Sequence, residues 1–172
     1  MMRTALLVID VQNDYFPDGA FPLWNAEKTL ANITNAIVRA REHDIEIIHV
    51  QHIANPENGA SPFFNEGSEG VKIHASILAA APNAPIIIKR YADAFLKTNL
   101  EQVLKERNVS KLLVCGMMTQ NCVTHTAISK SADKYQVSIL KDCCTTVTEM
   151  IHEIALDAVG NRVELIGSLD EF

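Results

Sequence analysis

Short apolar runs alternate along the chain with longer stretches in which apolar residues recur every three or four positions. The short runs, rich in Val, Ile and Leu, are typical of buried parallel strands, and the longer stretches are typical of helices packed on one face. The predicted strands are 5–9, 45–50, 85–88, 112–115, 136–140 and 162–166. The predicted helices are 27–43, 74–80, 98–107, 122–131 and 147–159.

Local signals sharpen some of these boundaries. Thr98 and Glu101 form a predicted capping box at the start of one helix, and Thr146 and Glu149 form another. Gly160 is expected to close the last helix. The segment 55–70 is rich in Pro and Gly, which predicts a long loop that covers another part of the fold.

Strands that alternate with helices predict right-handed crossovers and a mostly parallel sheet with helices on both faces. We therefore predict an α/β fold of three layers, α/β/α, around a six-stranded sheet in the Rossmann-like order 3-2-1-4-5-6. A length of 172 residues, without an internal repeat or a linker, predicts a single domain over 1–172.

Composition and charge narrow the class of partner. The net charge of −6, with no basic run, argues against nucleic acid or an anionic membrane as the partner and leaves a small molecule. The first apolar run is too short for a signal peptide and is interrupted by Asp10, and no stretch is long enough to span a bilayer. Four cysteines without a CxxC pair favour a reducing, cytoplasmic location.

The stretch KLLVCGMMTQNCV, residues 111–123, carries the strongest chemical signal. An apolar strand ends at Gly116, the hydroxyl of Thr119 is expected to cap the next helix, and Cys122 is expected in its first turn. Unpaired N–H groups and the helix dipole at such a place favour a thiolate and lower the pKa of the thiol. This pattern predicts that Cys122 is a nucleophile.

Asp10 follows the first predicted strand and Lys89 follows the third, as Cys122 follows the fourth. Ligands of an open parallel sheet bind outside the carboxyl ends of its strands, so these three side chains are expected to converge if strands one and four are neighbours. Asp10 is then the base for the thiol proton, and Lys89 is the cation that favours the thiolate. Each residue also has an alternative interpretation without a catalytic role. Asp10 is then a loop cap, Lys89 a surface residue and Cys122 an inert helical residue.

Three segments together resemble the isochorismatase-like cysteine hydrolases, which include nicotinamidases, N-carbamoylsarcosine amidases and isochorismatases. They are LLVIDVQNDYF at 6–16, IIIKRYADAF at 86–95 and LLVCGMMTQNCV at 112–123. The resemblance implies a catalytic triad of Asp10, Lys89 and Cys122 and a covalent thioester on Cys122. It also implies an oxyanion hole from the backbone N–H groups of Met118 and Cys122, a cis peptide between Met117 and Met118, and a homo-oligomer, either a dimer or a tetramer.

The chemistry implied by this resemblance is hydrolysis of an amide or a related C–N bond, with vinyl ether hydrolysis of the isochorismatase type as the alternative. Two other classes of function stay open: a thiol redox sensor, although no resolving cysteine lies near Cys122 in sequence, and a non-catalytic binding protein, although the whole triad is present. We expect an enzyme.

Nicotinamidases carry a metal-binding Asp-x-His after the second strand, and this chain has Val50, Gln51 and His52 there. His49 and His52 are three residues apart on a strand, so they point to opposite faces and are poorly placed to share a metal. We therefore predict no metal and no other cofactor. The remaining histidines, on predicted helices, are expected at the surface or at the edge of the core.

Aromatic and polar residues in the loops at the same end of the sheet are candidates to contact the substrate. Aromatic walls suit a flat or apolar small molecule. The predicted substrate-binding residues are Phe16, Trp24, His52, Phe64, Tyr91 and Thr119.

Overall fold

Six parallel strands form one sheet in the order β3-β2-β1-β4-β5-β6 in the computed structural model, which describes residues 3–172. The predicted fold class and strand order are thereby confirmed. The strands are β1 (Arg3–Ile9), β2 (Glu46–His52), β3 (Ile86–Lys89), β4 (Val109–Met117), β5 (Gln136–Thr145) and β6 (Glu164–Ile166). The helices are α1 (Ala26–Glu42), α2 (Ala75–Ala80), α3 (Leu100–Glu106), α4 (Thr124–Ala127), α5 (Glu149–Val159) and α6 (Ser168–Glu171). None of the helices within 3–172 is long and apolar enough to cross a membrane.

Each face of the sheet carries its own hydrophobic core. Along β1, Leu6 and Val8 face one side and Leu7 and Ile9 face the other, because successive side chains of a strand point in opposite directions. The first core is completed by α1 and α2, and the second by α3, α4 and α5. Full burial of one such aliphatic side chain contributes roughly 1.5–3 kcal/mol, so the two cores hold the strand ends in register.

The central strands β1 and β4 approach closely at Gly116, which lies opposite Ile9. Gly116 has a φ of +122°, and a Cβ atom at this position would overlap the carbonyl group of Ile9. Both the backbone conformation and the contact require glycine. This close approach sets where β4 ends relative to β1.

Two predicted boundaries after β4 are wrong. β5 continues to Thr145, and α5 starts at Glu149 with Thr148 as its cap, whose side chain accepts a hydrogen bond from the N–H of Ile151 at 3.3 Å. Thr146 is buried at the end of β5 and is not the cap. Gly160 closes α5 as predicted.

The predicted capping box of Thr98 and Glu101 is wrong, because Asn99 and not Thr98 is the N-cap residue of α3. The Thr98 hydroxyl accepts a hydrogen bond from the N–H of Leu100 at 3.2 Å, but Glu101 pairs with Lys134. The helix α3 is correspondingly shorter than predicted.

Candidate active site

The carboxyl ends of β1, β3 and β4 bring Asp10, Lys89 and Cys122 into contact. The Lys89 Nζ lies 2.9 Å from Asp10 Oδ2 and 3.2 Å from Cys122 Sγ. The exposed fractions of the three residues are 0%, 1% and 3%, respectively. Asp10 leaves the strand with a φ of +53°, and its N–H donates to the carbonyl of Val50 at 3.0 Å. The convergence expected from the strand order is therefore present.

Lys89 is the centre of this cluster. Besides Asp10 and Cys122, its ammonium group contacts His52 Nδ1 at 2.9 Å and donates to the carbonyl of Tyr91 at 3.0 Å. Burial lowers the pKa of Lys89, but the charge of Asp10 and the hydrogen bonds to Asp10 and Cys122 more than offset this and raise it. The site therefore holds a fixed cation, and its desolvation is offset by an ion pair and several acceptors.

Cys122 lies in a wider helical turn than the predicted α-helical start. Thr119–Val123 form a π-helical turn, and α4, which follows it, is only four residues long. The expected helix over 122–131 is wrong, because the chain leaves α4 after Ala127 and forms a separate 3-10 turn at Lys130–Ala132. The peptide between Met117 and Met118 is cis, as predicted.

The pKa of Cys122 is raised, so the expectation of a lowered pKa is wrong. Burial has the largest effect, the Asp10 carboxylate adds to it, and the Lys89 ammonium opposes both. A thiol at the start of a helix was expected to ionise readily, but this sulfur is almost fully desolvated beside an anion. The raised pKa favours the thiol form of Cys122.

His52 contacts the cluster of Asp10, Lys89 and Cys122 through Lys89. Burial, and secondarily the Lys89 charge, lowers the pKa of His52 to about 4. The ring is therefore neutral near pH 7, and Nδ1 accepts the hydrogen bond from Lys89. This leaves Nε2 as the protonated ring nitrogen.

The other residues predicted to bind substrate lie in different environments. Phe16 and Phe64 are buried, and Phe64 packs against the ring of Tyr15 with centroids 4.6 Å apart. Trp24 is half-buried, with its ring 5.8 Å from that of His152. Tyr91 is partly exposed. The hydroxyl of Thr119 does not cap a helix: it is buried and lies 2.8 Å from His152 Nδ1.

The histidines do not form the metal site expected of a nicotinamidase. His49 is buried on the other side of β2, with Nε2 3.1 Å from the carbonyl of Ala81, and His52 Nδ1 is engaged by Lys89. Donor atoms of Asp10, His52 and Cys122 do lie within 4.8 Å of one another. The Lys89 ammonium contacts all three, however, so a metal ion there would meet a fixed positive charge.

Three residues that shape the site were not singled out from the sequence. Gln12 holds the backbone of His52, and Asp14 accepts hydrogen bonds from the N–H groups of Ala20 and Phe64 at 3.0 and 2.8 Å. His152, expected at the surface or the edge of the core, is buried against Thr119. Gln12, Asn13 and Asp14 are consecutive polar residues, so no run of apolar neighbours in the sequence marked Gln12 or Asp14 as buried.

Comparison with known proteins identifies relatives over nearly the whole chain. A sequence model of the isochorismatase domain matches residues 4–171. The uncharacterized isochorismatase family protein YddQ of Bacillus subtilis is 38% identical over 152 residues, covering 88% of this chain and 83% of the relative. Maleamate amidohydrolase of Pseudomonas putida is 26% identical, covering 93% and 80%. The structure of an isochorismatase-like hydrolase from Alkaliphilus metalliredigens superposes with a TM-score of 0.90 at 24% identity, covering 99% of this chain and 96% of that one.

Proposed function

Because the chain belongs to the isochorismatase family and is a hydrolase, we propose that it cleaves a C–N bond of a small amide or ureido compound through a thioester on Cys122. One observation carries this proposal: a buried ammonium, that of Lys89, contacts both a carboxylate and a thiol, those of Asp10 and Cys122. Opposite charges enclosed beside a nucleophile are costly to bury and are found mainly where they are used.

In the first step Asp10 takes the proton of Cys122. The raised pKa of the thiol makes such a base necessary, and the adjacent Lys89 ammonium stabilises the resulting thiolate. The sulfur then attacks the carbonyl carbon of the substrate, and the carbonyl oxygen becomes an oxyanion.

The oxyanion is held by the backbone N–H groups of Met118 and Cys122. Two hydrogen bonds support this assignment, because the carbonyl of Met118 accepts from Asn121 and Val123, the residues on either side of Cys122. These two hydrogen bonds close the turn on the Met118 carbonyl, and neither of them uses the N–H of Cys122.

Asp10, now protonated, gives its proton to the nitrogen of the leaving group as the C–N bond breaks. Ammonia or an amine departs, and the acyl group remains on the sulfur. A water molecule, deprotonated by Asp10, attacks the thioester and releases a carboxylic acid, and the proton returns to Cys122. The cycle needs no cofactor.

A substrate screen with matched variants tests the proposal. Purified protein is incubated with small amides, ureido compounds and isochorismate, and products are followed by mass spectrometry. We expect C–N hydrolysis that is lost in Cys122→Ala, Asp10→Asn and Lys89→Met and kept in Lys72→Met, a change of an exposed lysine. An acyl adduct on the peptide that contains Cys122 should accumulate with slow substrates.

Two results would contradict the proposal. Full activity in Cys122→Ala would remove the covalent step, and turnover of isochorismate alone would assign vinyl ether hydrolysis instead. The enzyme is also proposed to be a homo-oligomer, as the family resemblance implies, and light scattering of the purified protein tests that separately.

A further inference from the structure

We propose that His152 is a positioning residue for the oxyanion-binding turn, an inference that rests on the acyl-transfer function proposed above. His152 Nδ1 lies 2.8 Å from the hydroxyl oxygen of Thr119. Both residues are buried, with 6% and 0% of their surface exposed. The contact joins α5 to the turn that carries the nucleophile, over a separation of 33 residues in the chain.

A small displacement of Thr119 would shift the N–H groups proposed to bind the oxyanion. Thr119 directly follows Met118 and begins the turn that contains Cys122, so it lies between the two N–H groups proposed to bind the oxyanion. Such donors work at about 2.7–3.1 Å from the developing charge, and an error of about 1 Å in a catalytic geometry can cost a factor of about 100. Fixing the Thr119 side chain therefore limits the motion of both donors.

His152 is itself fixed on two sides. Its N–H donates to the carbonyl of Thr148, the cap of α5, at 3.1 Å, and its ring packs against Trp24. The N–H of Trp24 donates to the carbonyl of Thr146 at 2.9 Å, so the end of β5 supports the same cluster. Burial lowers the pKa of His152, which keeps the ring neutral and able to form one directed hydrogen bond with the hydroxyl.

His125 also contacts this turn but does not share these properties. Its Nδ1 lies 2.8 Å from the carbonyl of Asn121, yet the ring is exposed. A solvated ring can exchange this contact for water at little cost, whereas loss of the buried bond at Thr119 leaves a polar group without a partner. The positioning role therefore belongs to His152.

Acylation and alkylation of Cys122 separate positioning from simple packing. Attack on an ester carbonyl creates an oxyanion, but displacement of iodide from iodoacetamide creates none. A residue that orients the oxyanion donors should affect the first reaction and leave the second unchanged. A residue that only supports the core should affect both or neither.

The experiment uses the full chain with 4-nitrophenyl acetate as acylating probe and iodoacetamide as alkylating probe. The variants are His152→Leu, His152→Asn, Thr119→Val and the double variant His152→Leu/Thr119→Val, with Glu153→Gln as a control at the neighbouring exposed position. We expect His152→Leu and Thr119→Val each to slow acylation about 100-fold without changing the alkylation rate. The double variant should be no slower than either single variant, and His152→Asn, which keeps a polar atom near Nδ1, should recover much of the rate.

The outcomes distinguish this inference from the proposed function. If the wild-type protein releases nitrophenolate no faster than Cys122→Ala, the acyl-transfer function is contradicted. The positioning role of His152, which rests on that function, is then contradicted as well. Wild-type acylation that persists unchanged in the folded His152→Leu and Thr119→Val variants contradicts the His152 role alone. Parallel losses of acylation and alkylation also contradict it, because they indicate general disruption of the site.

Discussion

Gln12 holds the backbone of His52 at both of its polar groups. The Gln12 Nε2 donates to the carbonyl of His52 at 2.8 Å, and its Oε1 accepts from the N–H of His52 at 2.8 Å. Nε2 also donates to the carbonyl of Val71 at 2.7 Å. Gln12 thus replaces a neighbouring strand at the end of β2, and it fixes the residue whose ring contacts Lys89.

Replacement of Gln12 by Leu should therefore weaken both the fold and the activity. The N–H and the carbonyl of His52 lose their partner, and the carbonyl of Val71 keeps only its hydrogen bond from Gln51. The expected loss in the free energy of unfolding is about 1–3 kcal/mol. Gln51→Leu is the matched control, because Gln51 is partly buried and its side chain donates to the carbonyl of Val71 but not to His52. Urea unfolding of both variants, with the turnover rate, checks this: equal effects would contradict the special role of Gln12.

The neutral state of His52 predicts a pH dependence of stability. Because its pKa falls to about 4 in the folded protein, the unfolded chain binds more protons between pH 6.5 and 4, and stability is lost as the pH falls through this range. Between pH 7 and pH 5 this amounts to about 2 kcal/mol. His52→Asn should lose correspondingly less stability over the same interval in urea titrations, and an identical loss in both proteins would contradict the assignment.

Asp10 should suppress the reactivity of Cys122 toward alkylation even though we propose it as the base of the hydrolytic reaction. Removal of its charge in Asp10→Asn lowers the pKa of Cys122, while Lys89 remains beside the sulfur. We expect iodoacetamide to label Cys122 at least about tenfold faster at pH 7 in Asp10→Asn, one pKa unit being worth a factor of ten, and more slowly in Lys89→Met. Peptide mass spectrometry measures these rates. Unchanged labelling in Asp10→Asn would show that burial alone controls the thiol, and slower labelling would show that Asp10 activates it; either result contradicts this prediction.

Gly116→Ala should abolish folding or yield insoluble protein. An added Cβ atom would overlap the Ile9 carbonyl between the two central strands. Both strands are packed in the core, so neither backbone can move to relieve the overlap. Gly59→Ala is the matched control, because Gly59 also has a positive φ, of +80°, but has no atom within 4 Å of an added Cβ. That variant should fold and lose only about 1–3 kcal/mol through backbone strain. Similar behaviour of the two variants by circular dichroism would contradict the importance of the strand contact.

The sequence alone determined the sheet and, given the expected strand order, the convergence of Asp10, Lys89 and Cys122. Buried parallel strands are nearly continuous apolar runs, so each strand was visible locally, and the alternation with helices restricted the topology to few choices. Once β1 and β4 are neighbours, Asp10, Lys89 and Cys122 must lie at the same edge, because each lies at or just beyond the carboxyl end of its strand.

Only the tertiary structure decided the properties that depend on desolvation and on partners distant in sequence. The direction of the pKa shift of Cys122 depends on burial beside Asp10, which outweighs the location of the thiol at a helix start. His152 contacts Thr119 over a separation of 33 residues in the chain. Gln12 binds the backbone of His52 over a separation of 40 residues. Hydrogen bonds of this kind leave no periodic pattern in a sequence, because they depend on how the helices, strands and loops pack against one another.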